Sequence, residues 1–141
     1  MFASVTDSRI LATPDLLDGK INLVNALPVA GFLTRPDEED RDYQNDYIRC
    51  VKLSVKAGST DHIVSILKEG MSSVPEILSF LVFKPFDEVD ILYVWERYAS
   101  LSAFAEIENG PNFSKVIGEI TPLIVGEEIT AYRVAGGYLS K

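Results

Sequence analysis

The spacing of hydrophobic positions changes several times after residue 46, and each change predicts a new element. Residues 48–55 are rich in β-branched side chains and stop at Ala57-Gly58, which predicts a strand. The next apolar positions recur at three- and four-residue steps, which predicts a helix that starts near Asp61 behind a Ser59 or Thr60 cap and ends at Pro75. Those positions are Ile63, Ile66, Leu67, Met71 and Val74.

Two nearly continuous apolar runs follow, at residues 77–84 and 91–98. Runs of this length and composition are typical of strands that are buried on both faces. The segment between them contains Pro85 and Asp90, so we expect a hairpin.

The last third of the chain returns to helical spacing and then to a strand. Ser100 is placed to cap a helix that ends at Gly110, Pro111 can begin a further helix, and residues 128–134 resemble a strand. The order β-α-β-β-α-β predicts an α+β, ferredoxin-like fold with helices on one face of an antiparallel sheet. Because the strands are apolar on both sides, we expect a second copy of the chain to cover the free face.

The first 46 residues differ from the rest. Residues 21–33 form an apolar patch without a clean helical or strand period, so we expect short elements that pack onto the body. Residues 37–46 contain six acidic side chains and only Arg41 as a base, which is typical of a solvated loop. The chain therefore divides into an N-terminal arm with its acidic loop, residues 1–46, and a folded domain, residues 47–141.

Composition and charge narrow the classes of function. The 141 residues are 47% hydrophobic, which suits one globular domain, and carry a formal net charge of −8. An acidic chain is a poor candidate for binding nucleic acid or an anionic membrane surface. No apolar run approaches the roughly 20 residues that span a bilayer, and no secretory signal is recognisable. We expect a soluble, cytoplasmic protein.

The inventory of reactive side chains excludes several kinds of site. The sequence has one cysteine, Cys50, and one histidine, His62, so a zinc site of the usual Cys/His kind cannot be assembled within one chain. A carboxylate-rich Mg²⁺ or Ca²⁺ site stays open. Phosphate-binding glycine loops and a nucleophile elbow are absent. No metal and no cofactor is predicted.

One segment carries a family resemblance. The sequence YVWERYASLSAF at residues 93–104, followed by Gly110-Pro111-Asn112-Phe113, resembles the antibiotic biosynthesis monooxygenase domain. The shared pattern is an apolar strand, a glutamate, an aromatic residue, a Ser-x-x-Ala helix start and a small-Pro-x-Phe step. The resemblance extends over residues 48–134 and leaves out the arm.

The resemblance implies a dimeric α+β barrel with a pocket between sheet and helices in each chain. Members of the family oxygenate electron-rich aromatic substrates such as anthrones and quinols, often without metal or flavin. A deprotonated substrate of this kind can itself reduce dioxygen, so the protein supplies a base, a dry cavity and stabilisation of the anion. The expected ligand is a small aromatic or polyketide-derived molecule of secondary metabolism.

Several positions depart from the family pattern. Ile107 stands where many members have a histidine, which disfavours the heme-degrading branch of the superfamily. Val94, Tyr98 and Phe104 stand where the anthrone-oxidising branch has Asn, Trp and Tyr. A cyclase or isomerase that uses the same base, or a non-catalytic dimeric binding protein of the same fold, therefore stays open as an alternative.

The resemblance implies that the side chains of Val94, Glu96 and Tyr98 face the pocket. Glu96 would then be an acid in apolar surroundings, with a raised pKa suited to a general base, unless it forms an ion pair with Arg97, Arg133 or a lysine. Tyr98 could donate its hydroxyl to a substrate oxyanion or could be a core aromatic.

The remaining candidates are further from the proposed chemistry. Trp95 and Tyr93 are expected under the helices, with stacking on a flat ligand as the alternative, and Arg97 is expected to pair with a carboxylate. His62 is either a surface residue or a base near the pocket mouth. The candidates for pocket wall or core are Phe80, Phe83, Phe104, Ile107 and Phe113.

Overall fold

The computed structural model describes residues 26–34 and 44–136. Their elements, in chain order, are β1 (Ala26–Phe32), β2 (Tyr47–Val55), α1 (Thr60–Ser72), β3 (Ile77–Pro85), β4 (Ile91–Tyr98), α2 (Leu101–Glu108), α3 (Pro111–Ile120), a 3₁₀ turn (Thr121–Leu123) and β5 (Ile124–Arg133). None of the helices in these two ranges is long and apolar enough to cross a membrane.

The five strands form one sheet in the order β1-β3-β4-β2-β5, and every neighbouring pair is antiparallel. Without β1, this is the strand order of the ferredoxin-like fold, so the predicted α+β class is confirmed. The predicted sheet had four strands. The fifth comes from the N-terminal arm, whose division from the domain at residue 46 stays a prediction.

Strand β1 extends the sheet beside β3, with Ala26 opposite Pro85 and Phe32 opposite Phe80. Local sequence did not reveal this strand, because Pro28 and a bulge before Ala30 interrupt its period. Gly31 is essential to the pairing. Its φ is +119°, and a Cβ there would collide with the backbone carbonyl of Phe80.

The helices pack on one face of the sheet and enclose the core. In β4 this face carries Leu92, Val94, Glu96 and Tyr98, and successive side chains of a strand point to opposite faces. Buried side chains from all three helices meet the strands here: Ile63, Leu67 and Met71 from α1, Phe104 from α2, and Val116 and Ile120 from α3.

The element ends mostly follow the local signals. The Ser100 hydroxyl accepts a 3.0 Å hydrogen bond from the Ala103 amide, as a helix cap should, whereas Ser59 holds the cap position of α1 without a side-chain bond. Helix α2 ends at Glu108 with Asn109 as its C-cap, and Gly110 is instead the N-cap of α3. Strand β5 begins at Ile124, earlier than residue 128, because its first residues pair with Ser54 and Val55 of β2.

The opposite face of β4 buries Arg97, which is only 1% exposed. Its guanidinium donates to Asp46 Oδ2 at 2.7 Å, to Ser79 Oγ at 2.9 Å and to the Leu33 carbonyl at 3.5 Å. The predicted carboxylate partner of Arg97 is thus confirmed. Asp46, however, is buried and not part of a solvated loop, because it is this partner. Residues 37–43 of the acidic run lie outside the described ranges.

We predict that Asp46→Asn lowers the free energy of unfolding by about 3–5 kcal/mol, because it removes the buried carboxylate that binds the Arg97 guanidinium at 2.7 Å. Urea unfolding followed by circular dichroism measures the change. Asp87→Asn removes the same charge at an exposed turn residue and should change stability by less than about 0.5 kcal/mol. Equal losses in the two variants would show that the pair does not stabilise the fold.

Candidate functional site

Glu96 and Tyr98 lie side by side on the helix-facing side of β4. Both are buried, with Glu96 5% exposed and Tyr98 fully enclosed. The Tyr98 hydroxyl donates a hydrogen bond to Glu96 Oε1. The two residues that the sequence selected as base and hydrogen-bond donor are therefore in direct contact. Their catalytic roles stay a prediction.

Arg49 is the charged neighbour of this pair. It lies directly opposite Glu96 in the pairing of β2 with β4, and its Nε is 4.0 Å from Glu96 Oε1. The alternative of an ion pair with Arg97, Arg133 or a lysine named other partners. Arg97 points to the other face of the sheet and binds Asp46, and Arg133 lies opposite Tyr47. Sequence reasoning missed Arg49. The sequence does show that Arg49 alternates with Val51 and Leu53, so it belongs to the inward-facing positions of β2. Only the strand register shows that Arg49 lies opposite Glu96.

The Arg49 side chain is about nine-tenths buried, yet its Nε–H has no hydrogen-bond partner among the residues that the structure describes. Its guanidinium carbon lies 4.4 Å from the centre of the Phe104 ring, which partly compensates the charge. Buried N–H groups without a partner are rare in folded proteins. Arg49 thus has an unused donor beside a buried carboxyl group.

Aromatic rings enclose the polar group. The Phe104 ring, which α2 supplies, is centred 4.9 Å from Tyr98, 5.4 Å from Tyr47 and 6.1 Å from Phe113. Phe113 and Ile107 are half-buried and pack against the core at the same end of the sheet. A carboxyl group, a phenol and a guanidinium thus share an apolar shell, which we call the Glu96 cluster: Arg49, Glu96, Tyr98, Tyr47 and Phe104.

Burial governs protonation in the Glu96 cluster. Loss of solvent raises the pKa of Glu96, and the nearby Arg49 charge and the Tyr98 hydrogen bond only partly offset that effect. Burial also raises the pKa of Tyr98, and the adjacent Glu96 carboxylate raises it further. Tyr98 is therefore a hydrogen-bond donor that stays protonated, while Glu96 is able to exchange a proton.

The other predicted site residues fall into three groups. Val94 and Phe80 are buried on the same face as Glu96, and Phe80 lies directly opposite it in β3. Trp95 and Tyr93 occupy the free face, so the prediction that they pack under the helices was wrong. The reason is alternation, since Glu96 and Tyr98 take the inward positions of β4. His62 is exposed in the first turn of α1, which packs over β1 and β3.

An open cleft of about 510 Å³ borders the Glu96 cluster. Tyr47 belongs to both, since it lines the cleft and its ring contacts Phe104. The other lining residues are Gln44, Asn45, Asp46, Leu101, Ala131, Tyr132 and Arg133. Within residues 26–34 and 44–136, no group of three or more His, Cys, Asp or Glu side chains is arranged to hold a metal ion.

Solved structures share the fold that carries this site. A provisionally named antibiotic biosynthesis monooxygenase from Chloroflexus aurantiacus superposes with a TM-score of 0.62 and 26% identity, over 66% of this chain and 96% of that one. The chain has the fold of the antibiotic biosynthesis monooxygenase domain. The resemblance seen in residues 93–113 is thereby confirmed.

Two further structures extend the likeness at lower identity. A provisionally named antibiotic biosynthesis monooxygenase from Bacteroides thetaiotaomicron matches with a TM-score of 0.63, 16% identity and 71% coverage of this chain and 99% of that one. A provisionally named monooxygenase from Lactobacillus acidophilus matches with a TM-score of 0.66 and 17% identity. The match covers 92% of this chain and 64% of that one. No family model and no curated protein matches the sequence.

The raised pKa of Glu96 makes a prediction about stability. A carboxyl group whose pKa is higher in the folded chain stabilises the fold fully below its unfolded pKa near 4.5, and this contribution is lost as the pH rises through the folded pKa. The amide of Glu96→Gln cannot titrate. The difference in unfolding free energy, wild type minus variant, should therefore decrease above pH 4.5, by at most about 1.4 kcal/mol per pH unit.

Urea unfolding across this pH range measures the difference. Glu106→Gln makes the same chemical change at an exposed position of α2 and serves as the reference. A difference for Glu96→Gln that stays constant or increases with pH would contradict the assigned direction.

Proposed function

We propose that this protein is a small cytoplasmic monooxygenase that oxygenates an aromatic or polyketide-derived substrate of secondary metabolism without a cofactor of its own. The fold of the antibiotic biosynthesis monooxygenase domain supports the reaction class. The observation that carries the proposal is the Glu96 cluster, in which a buried carboxyl group contacts Tyr98 and faces the unpaired Nε–H of Arg49 inside an aromatic shell.

The reaction begins with proton transfer. Glu96 removes a proton from an acidic C–H or O–H group of the substrate, and burial, which raises its pKa, makes its carboxylate a stronger base. The resulting anion is electron-rich, and its negative oxygen accepts a hydrogen bond from Arg49 Nε. A water-poor, apolar surrounding strengthens that interaction.

Oxygen then reacts with the substrate anion itself. One electron passes from the anion to O₂, and the two radicals join in a C–O bond to give a peroxide anion. After protonation of the peroxide, the remaining C–H bond of the same carbon loses its proton to a base as the O–O bond breaks. One oxygen atom stays on carbon as a carbonyl group, and the other leaves as hydroxide, which takes up a proton to become water. For a methylene carbon, CH₂ and O₂ become C=O and H₂O, so the substrate supplies all the electrons.

We predict that Glu96→Gln lowers oxygen uptake with an anthrone or quinol probe by about 10²–10⁴-fold, because it removes the base. Tyr98→Phe should cause a smaller loss, since it removes only the hydrogen bond that orients the carboxyl group. An oxygen electrode measures uptake, and chromatography measures the carbonyl product. Glu128→Gln, on the exposed edge strand β5, is the matched control and should retain full activity.

Unchanged turnover in both Glu96→Gln and Tyr98→Phe would refute the assignment of Glu96 as the base and of Tyr98 as the hydrogen-bond donor that orients it. Product formation without oxygen would instead identify a cyclase or isomerase, in which the same carboxyl group transfers protons and no electron leaves the substrate.

A non-catalytic binding protein is the second candidate. The packing of Phe104 against Tyr98, at 4.9 Å between ring centres, favours it, because this ring fills space beside the Tyr98 phenol. Binding of an aromatic ligand without turnover under any of these conditions would support this candidate.

We also propose a homodimer that is closed through the free face of the sheet. Leu81, Phe83, Tyr93 and Trp95 lie on this face, with the rings of Phe83 and Tyr93 stacked at 5.7 Å, and none of the three helices packs there. Apolar surface of this kind is characteristic of interfaces between subunits.

The wild-type protein should therefore show a solution mass of twice 15.6 kDa by light scattering at micromolar concentration. Trp95→Glu should shift it toward the monomer, because the interface would bury an unpaired charge. Val89→Glu, at a turn residue that is 85% exposed, should leave the mass unchanged. A wild-type monomer would exclude the shared barrel.

A further inference from the structure

The open cleft beside the Glu96 cluster has the size and shape of a ligand site. Its volume of about 510 Å³ falls within the roughly 300–1,000 Å³ that is typical for small molecules. The Tyr47 ring, the aliphatic Leu101 and the strand residue Tyr132 are among the residues that line it. A ring system of two or three fused rings would find aromatic and aliphatic surface here.

The described residues give the cleft a charge opposite to that of the protein. Among residues 26–34 and 44–136, the charged residues that line it are Asp46 and Arg133. Asp46 is 3% exposed and is neutralised by the Arg97 guanidinium at 2.7 Å, whereas Arg133 is exposed at the end of β5. Of these two residues, the one whose charge faces a ligand is therefore Arg133, in a chain whose net charge is −8.

The strand register connects this charge to the Glu96 cluster. Arg133 lies opposite Tyr47, and Ala131 lies opposite Arg49, in the pairing of β5 with β2. Tyr47 and Arg49 are two residues apart on the helix-facing side of β2. A molecule in the cleft therefore meets Arg133 first and the Tyr47 ring next, and Arg49, with its unpaired Nε–H, lies one step further in.

We propose that this cleft binds a planar aromatic acid, with its anionic group on Arg133 and its ring along Tyr47. Arg133 is the residue that determines specificity, because a charge-assisted hydrogen bond to a carboxylate discriminates against a neutral analogue of the same shape. This proposal deepens the proposed function, because it names an aromatic acid as the substrate class. It rests on the proposed function only where it treats the bound molecule as a substrate.

Titration calorimetry with 2-naphthoate and its neutral counterpart 2-naphthylmethanol tests the binding. Wild-type protein should bind naphthoate at least about tenfold more tightly than the alcohol. Arg133→Gln should abolish that preference, and Arg133→Lys should restore part of it. Lys68→Gln removes the same charge from an exposed position of α1 and should leave both affinities unchanged.

Amide NMR spectra locate the ligand. Naphthoate should shift the resonances of Tyr47, Ala131 and Tyr132, and Tyr47→Ala should weaken the binding of both naphthalene probes. Equal affinity for the two probes, equal effects of Arg133→Gln and Lys68→Gln, or shifts confined to the Trp95 face would each overturn the proposal.

Different results would refute the proposed oxygenation and the proposed binding of an aromatic acid. Glu96→Gln leaves the cleft intact, so this variant should bind naphthoate like the wild type even though oxygen uptake is lost. Naphthoate binding without oxygen uptake in the wild type would refute only the proposed reaction. Oxygen uptake without a preference for the acid would refute only the assignment of Arg133.

Discussion

Burial of two adjacent opposite charges on the central strand constrains the whole molecule. Glu96 and Arg97 follow one another in β4, so they point to opposite faces, and each is at most 5% exposed. They cannot neutralise each other. Because an unpaired buried charge costs several kcal/mol, each face must supply its own partner.

The two faces meet this demand differently. Arg97 has short hydrogen bonds to Asp46 and Ser79 and a longer one, of 3.5 Å, to the Leu33 carbonyl. These contacts join the end of β1, the start of β2 and the centre of the sheet. Glu96 has a hydrogen bond from Tyr98 but only a 4.0 Å approach from Arg49. One buried charge is thus fully satisfied and stabilises the fold, while the other retains a raised pKa and an unused donor beside it.

The two faces of the sheet therefore differ: one carries the buried ion pair that stabilises the fold, and the other carries the candidate site. Glu96, Tyr98 and Arg49 stand on neighbouring rigid strands, and α2 contributes the Phe104 ring that encloses them. The cleft at the end of β5 adjoins the same group through Tyr47. A ligand that approached from this side would pass from an exposed guanidinium to an aromatic ring and then to the buried polar group.

Local sequence was sufficient for most of the fold. The periods of 48–55, 77–84 and 91–98, the helical spacing near Ile63 and Phe104, and the signals of Ser100 and Pro111 act over a few residues, so they predicted the element order and the ferredoxin-like class. Alternation along one strand placed Glu96 and Tyr98 on one face, and the family resemblance assigned that face to the pocket. Tertiary structure decided four other features: the pairing of strand β1, the burial of Asp46, the outward position of Trp95 and the place of Arg49 beside Glu96. Each of these depends on which strands pair and in which register, or on which face the helices cover. Those choices are made by contacts between residues far apart in the chain, which no local pattern records.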